Sequence, residues 1–308
     1  MTMSATGLHW FLSPLCALLL APLLPGLINR TKALVAGRRG PPLLQPYRDA
    51  LKSLRRGAVY GAATSPLFRL GPVVNLAALA ASLLVLPFAG IGAPVGFAGD
   101  LIVLAGLLAL GRFATMLAAL DTGSSFEGMG ASREAHFAAL AEPALLLALA
   151  TLVRVTGAVS LTPIYAAIGI ATWAHTLPTL ALVALTFVVL ELVENSRIPV
   201  DDPNTHLELT MIHEVMVLDH SGPDLAFIQY AAALKLWVLG ALFVGLVVPL
   251  HGGSLWLDGA AALLGMAGLA VGIGMVEAAM ARYRLVHVPQ FIVGAATLSA
   301  VAFIVYLA

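Results

Sequence analysis

The sequence predicts an all-α integral membrane protein: a bundle of about eight transmembrane helices, both termini outside, with large polar cytoplasmic loops. Three observations predict it. The 308 residues are 60% hydrophobic and only 10% charged, whereas charged side chains alone make up roughly a quarter of an ordinary soluble domain. Apolar runs recur at about the 20-residue length that crosses a bilayer core as a helix, the form that satisfies its own backbone in lipid. Thirteen of the sixteen Lys and Arg residues fall in the odd-numbered connections and the other three within spans, the asymmetry that marks the cytoplasmic side.

Taken in order, the runs lie near 8–28, 72–93, 98–120, 137–158, 165–190, 228–250, 259–280 and 288–307, in one polytopic domain covering 1–308. The first has no basic stretch ahead of it and no small-residue cleavage site, so it is expected to be a retained span. Cytoplasmic loops are expected at 29–71, 121–136, 191–227 and 281–287. In the first of these, two prolines set an extended start. Leu43, Leu44, Tyr47, Leu51 and Leu54 then recur at helical spacing, with Arg48, Lys52, Arg55 and Arg56 largely on another face. That pattern predicts a short amphipathic helix at the membrane surface, serving either as a lipid-binding anchor or as a docking face for a cytoplasmic partner.

Composition also excludes function classes. A single cysteine, Cys16, allows no internal disulfide and no self-contained iron–sulfur cluster, which needs about four thiolates. No basic patch with interleaved aromatics points to nucleic acid. The Gly123–Gly130 stretch lacks the lysine order of a phosphate loop. There is no H-E-x-x-H, and His206 and His213 stand about 10 Å apart on a helix, too far to share a metal.

Eight of the sixteen carboxylates crowd between Glu191 and Asp224, namely Glu191, Glu194, Asp201, Asp202, Glu208, Glu214, Asp219 and Asp224, with Arg197 as the one permanent cation among them. Arg112, Glu142, Arg154, Lys235 and Glu277 fall inside predicted spans and Glu191 at the end of one, where a charge costs several kcal/mol and faces the bundle interior or water. Arg112 and Glu142 differ by only about 5 Å in predicted depth at about 1.5 Å per residue, so they can pair. All but Arg154 lie in the cytoplasmic half, which suggests a polar cavity open inward and closed before the outer leaflet. Two readings stand beside each other: a relay of protonatable groups, or structural ion pairs, Arg112 with Glu142 and Lys235 with Glu277, that hold helices in register.

The run from Glu194-Asn-Ser-Arg197 through Pro199, Asp201 and Pro203 to Glu208 and His213-Glu214 resembles the signature loop of the membrane subunit that joins the two arms of respiratory complex I. It is most similar to the corresponding subunit of group 4 NiFe hydrogenases, the formate hydrogenlyase type. Gly40-Pro41, Gln45-Pro46, Asp49, Lys52, the Asp121–Glu134 stretch and Glu142 carry the same resemblance. The resemblance implies an eight-helix subunit of the bacterial cytoplasmic membrane with no catalytic centre of its own. It implies NiFe and iron–sulfur centres in hydrogenase-like large, small and iron–sulfur subunits docked on the cytoplasmic side, and antiporter-like neighbours in the bilayer. It implies coupling roles for Glu142, Glu194, Asp201 and Glu208, with Arg197 as a charge partner. The crowding and depth of the charges add Glu191, Asp202, Glu214 and Glu277 to the candidate relay and Arg112 and Lys235 to the charge partners, and Gln45, Arg48, Asp49, Lys52 and Arg133 are the candidate docking residues. No metal is expected on this chain, and quinone is the one cofactor left open. Complex I walls a quinone cavity with these loops. Here Asn204, Thr205 and His206 stand where complex I has further carboxylates, a departure that counts against a quinone site. Two alternative functions stand beside the coupling role: a passive anchor that moves no ions, and the quinone-cavity subunit of a complex I-like enzyme.

Overall fold

The computed structural model describes residues 8–201, 211–249 and 254–307, and among them the regular secondary structure is helical apart from one isolated β-bridge, Phe88 with Ile91. The helices are α1 (Leu12–Leu20), α2 (Leu23–Val35), α3 (Gln45–Leu54), α4 (Pro66–Val85), α5 (Asp100–Asp121), α6 (Ser125–Thr156), α7 (Leu161–Ala167), α8 (Ile170–Glu194), α9 (Gly222–Val247), α10 (Leu255–Ala279) and α11 (Val288–Leu307). Among the described residues seven helices are long and apolar enough to cross a membrane, and an eighth crossing results if α1 and α2, bent by 42°, count as one broken span. The fold class is the one read from composition: an all-α, multi-pass membrane protein.

The break between α1 and α2 has a chemical cause. Pro22 has no N–H, so the carbonyl of Leu18 loses its helical donor. Two tyrosines satisfy the opened turn: the hydroxyl of Tyr230, on α9, donates to Leu18 O, and that of Tyr47, on α3, donates to Leu19 O. The predicted amphipathic helix is thus α3, latched to the break and packed beside α9. Leu44, Leu51 and Leu54 remain exposed on it, as do Arg48 and Lys52. Gln45 donates to Asp49 at 2.8 Å on its surface.

α9 is the most enclosed helix, ringed by α3, α4, α8 and α10, while α11 packs along α6 and α8 and α10 along α2. With no aqueous driving force inside lipid, such contacts rely on close packing at small residues. At Gly71 a Cβ would stand 2.6 Å from Ala118 Cβ, so only glycine lets α4 and α5 cross this closely. α6 is longer than its apolar run. It already begins at Ser125, within the stretch expected as loop 121–136, because Glu127, Arg133 and Glu134 are satisfied by partners from the 211–219 segment rather than by water.

At the end of the bundle carrying Arg133, Arg197 and Arg282, here called the basic end, the chain after α3 folds back over the start of α9. Gly222 makes this contact. Its φ of +57° suits glycine, and a Cβ there would sit 2.7 Å from Gly57 O. Beside it His220 stacks on Phe68 with ring centroids 3.9 Å apart, both buried and neither imidazole nitrogen hydrogen-bonded to a described residue. Burial pushes the His220 pKa below the ordinary histidine value, with Asp224 and Asp219 opposing. A base depressed on folding contributes stability that is complete above about pH 6.5 and is lost as pH falls through the lower folded value, because the unfolded chain binds the extra proton. Thermal unfolding between pH 8 and pH 5 should therefore steepen below about 6.5, and His220→Phe, which keeps the stack, should flatten that slope. An unchanged slope in His220→Phe contradicts the assignment.

Candidate functional site: a buried charge network at the basic end

α5, α6, α8 and α9 bring four ionisable side chains from distant sequence positions into one knot. Arg112 Nη1 donates to Glu194 Oε1 at 2.7 Å, and Arg112 Nη2 donates to Glu142 Oε1. Lys235 Nζ reaches the other oxygen of Glu194 at 2.9 Å. Arg112 is buried and the Glu194 side chain keeps 11% of its surface, whereas that of Glu142 keeps 44%. The predicted pairing of Arg112 with Glu142 is therefore present, with Glu194 added to it.

The expected pairing of Lys235 with Glu277 is not present. Lys235 projects from α9 toward α8 and meets Glu194, while Glu277, on α10, faces α2 and the turn after α8. There Arg197 Nη1 lies 3.4 Å from Glu277 Oε1, and Lys32 Nζ lies 3.5 Å from its Oε2. Arg197 thus pairs with Glu277. Glu191 lies one turn before Glu194, only 1% exposed, with neither carboxylate oxygen hydrogen-bonded to a described residue.

The turn after α8 is fixed by a further carboxylate. Asp201 accepts the Ile212 N–H at 2.9 Å on Oδ2, and its Oδ1 lies 3.1 Å from Arg282 Nη2. Asp201 thereby ties the two ends of the loop it opens to the connection after α10. Arg133, assigned by resemblance to the docking surface, turns inward and donates to Met211 O at 2.8 Å. Glu214 opens the short 3-10 turn 214–217, half-buried. Asp202 and Glu208 lie outside the described residues, as does His206. Among the described residues no three His, Cys, Asp or Glu side chains gather as metal ligands.

Three participants were missed in the sequence. Glu134, buried, meets His213 Nδ1 at 3.3 Å through Oε2. Glu127, fully buried, accepts the Asp219 N–H at 3.1 Å. Lys32 belongs to α2 and not to the loop expected at 29–71. The spacing of Glu134 and Glu142, a little over two helical turns, would have revealed the first had α6 been extended to Ser125.

The interior of the opposite half is largely apolar. Leu149, Leu152, Leu180, Leu234, Trp237 and Leu242 are at most 2% exposed, and a cavity of about 70 Å³ at the far end is lined by Phe88, Tyr165 and Asp258. A charged group is nevertheless buried at that end as well: Asp100, at the start of α5 and inside the predicted span 98–120, accepts from the Ser160 hydroxyl and the Leu161 N–H.

Residues 9–308 match the family model described as NADH dehydrogenase. The chain belongs to that family. Its similarity extends to curated relatives in Escherichia coli K12. It is 34% identical to formate hydrogenlyase subunit 4 over 88% of this chain and 89% of that protein, and 36% identical to hydrogenase-4 component C over 75% and 72%. An NADH-quinone oxidoreductase subunit of Verminephrobacter eiseniae is 28% identical over 70% of this chain and 64% of that one. A chain from the membrane-bound sulfane sulfur reductase, an archaeal respiratory membrane complex, superposes with a TM-score of 0.81 at 20% identity, covering 97% of this chain and 98% of that one. Within the NADH dehydrogenase family, the resemblance read from the Glu194–Glu214 loop and the hydrogenase-type relatives agree.

Proposed function

We propose that this chain is the membrane-embedded anchoring and coupling subunit of a hydrogenase-type, complex I-related oxidoreductase of the bacterial cytoplasmic membrane. Its basic end, with α3 and the loops after α5, α8 and α10, faces the cytoplasm and seats hydrogenase-like large, small and iron–sulfur subunits, which hold the NiFe and iron–sulfur centres. Its charge network passes protonic charge sideways to antiporter-like membrane subunits.

One observation carries the coupling role. Around Glu194, four cations (Lys32, Arg112, Arg197 and Lys235) face five carboxylates (Glu134, Glu142, Glu191, Glu194 and Glu277), with His213 at the edge. One proton neutralises this group, and its position follows whatever charge is placed at the basic end. Low local dielectric makes each member sensitive to its neighbours. The half-exposed Glu142 is the member placed to hand charge to a neighbour within the bilayer. A group that merely locked helices together would need no surplus acid.

Purification of the tagged chain from its native membrane in mild detergent tests the setting. The expected result is recovery with hydrogenase-like large and small subunits and an iron–sulfur absorption spectrum. A stable lone chain that transports a solute contradicts it.

A further inference from the structure

A small cavity lies between α5, α6, α8 and the 211–217 segment. Arg112, Glu134, Glu194 and Ser196 line it on the polar side, with Phe137, Ala138 and Val193 among its apolar neighbours, and the space open to the centre of a water molecule is about 10 Å³. A single water needs roughly that much, about 10–15 Å³, and two to four polar partners. The cavity meets both requirements and has no room for a larger guest. It also separates two parts of the site that otherwise do not touch. On one side Glu194 is held by Arg112 and Lys235. On the other, Glu134 is held by His213, whose side chain keeps 33% of its surface.

Building on the coupling role proposed above, we infer that one water in this cavity joins Glu134 to Glu194, making His213 and Glu134 the proton inlet of the network from the basic end. His213, protonated from the cytoplasm, gives its Nδ1 proton to Glu134 Oε2 across 3.3 Å. The neutral Glu134 carboxyl gives a proton to the water oxygen, and that water releases one of its own to Glu194. One N–H bond is broken and one O–H bond is formed on Glu194, with Glu134 and the water restored. The Ser196 hydroxyl and Arg112 orient the water and are not consumed. In this scheme Glu134 and His213 are transfer groups, and Ala138 is a wall residue whose size decides whether the water fits.

The test uses the intact complex with two readouts. In a map that resolves ordered waters, the wild type should carry one density peak within hydrogen-bond distance of both Glu134 and Glu194, and Ala138→Val should abolish it. An empty wild-type cavity overturns the inference. In proteoliposomes, Ala138→Val, Glu134→Gln and His213→Gln should each slow proton translocation about ten-fold or more. Should Ala138→Val fail to assemble, the other two variants carry the functional test. If these variants translocate normally while Glu194→Gln does not, the water link is wrong and the coupling role stands. If Glu194→Gln also translocates normally, the coupling role fails and the inlet falls with it.

Discussion

Arg112→Leu is expected to lower the stability of the bundle by about 3–5 kcal/mol, the cost of stripping one partner from a buried ion pair and leaving the other uncompensated. Arg112 is buried and binds two carboxylates at once, so its removal leaves Glu142 to lipid and Glu194 with Lys235 alone. The thermal midpoint of the purified protein should fall by roughly 6–20 °C, on the scale of about 2–4 °C per kcal/mol. Arg112→Leu/Glu142→Gln should recover part of the loss, because the glutamine removes one of the stranded charges, and a double-mutant cycle isolates that coupling. Arg154→Leu is the control: it lies exposed in the last turn of α6, far along the helix from the network. Equal losses for Arg112→Leu and Arg154→Leu would mean that the network contributes nothing specific to the bundle.

The fold class was legible because its determinant is local. Apolar run length specifies spans and does not require knowing which helix neighbours which. Pairings are different. Lys235 and Glu277 share a predicted depth, but depth does not say which face of α9 meets α8 and which face of α10 meets α2. Those rotations are set by packing at residues such as Gly71, Gly274 and Gly222, where the absence of a Cβ permits close approach, and no periodicity argument supplies them. Glu134 escaped for a related reason. Charged residues at the start of α6 look like a solvated loop until the 211–219 segment supplies their partners. The broken first span was hidden likewise, since Pro22 lies within an apolar run and the tyrosines that satisfy the break, Tyr47 and Tyr230, come from other helices.

The network's composition also explains why charge, rather than size or hydrophobicity, is the sensitive variable. Glutamine preserves the shape of glutamate and removes only its titration. Glu142 is half-exposed, and Arg112 keeps Glu194 when Glu142 is neutralised. Glu142→Gln is therefore expected to leave assembly intact while removing the member nearest the lipid-facing surface. Glu194→Gln removes the carboxylate that joins Arg112 to Lys235, and with it the continuity between α5 and α9. A coupling device needs two states that differ in how they hold the proton, and these substitutions erase that difference.

Proton translocation by the purified complex in proteoliposomes, driven by its own electron-transfer reaction, measures this directly. Glu142→Gln should assemble normally and turn over electrons while the pH change across the membrane is lost, because Arg112 keeps Glu194 as its partner. Wild-type pumping from a fully assembled Glu142→Gln complex would contradict the account and leave the chain a passive anchor.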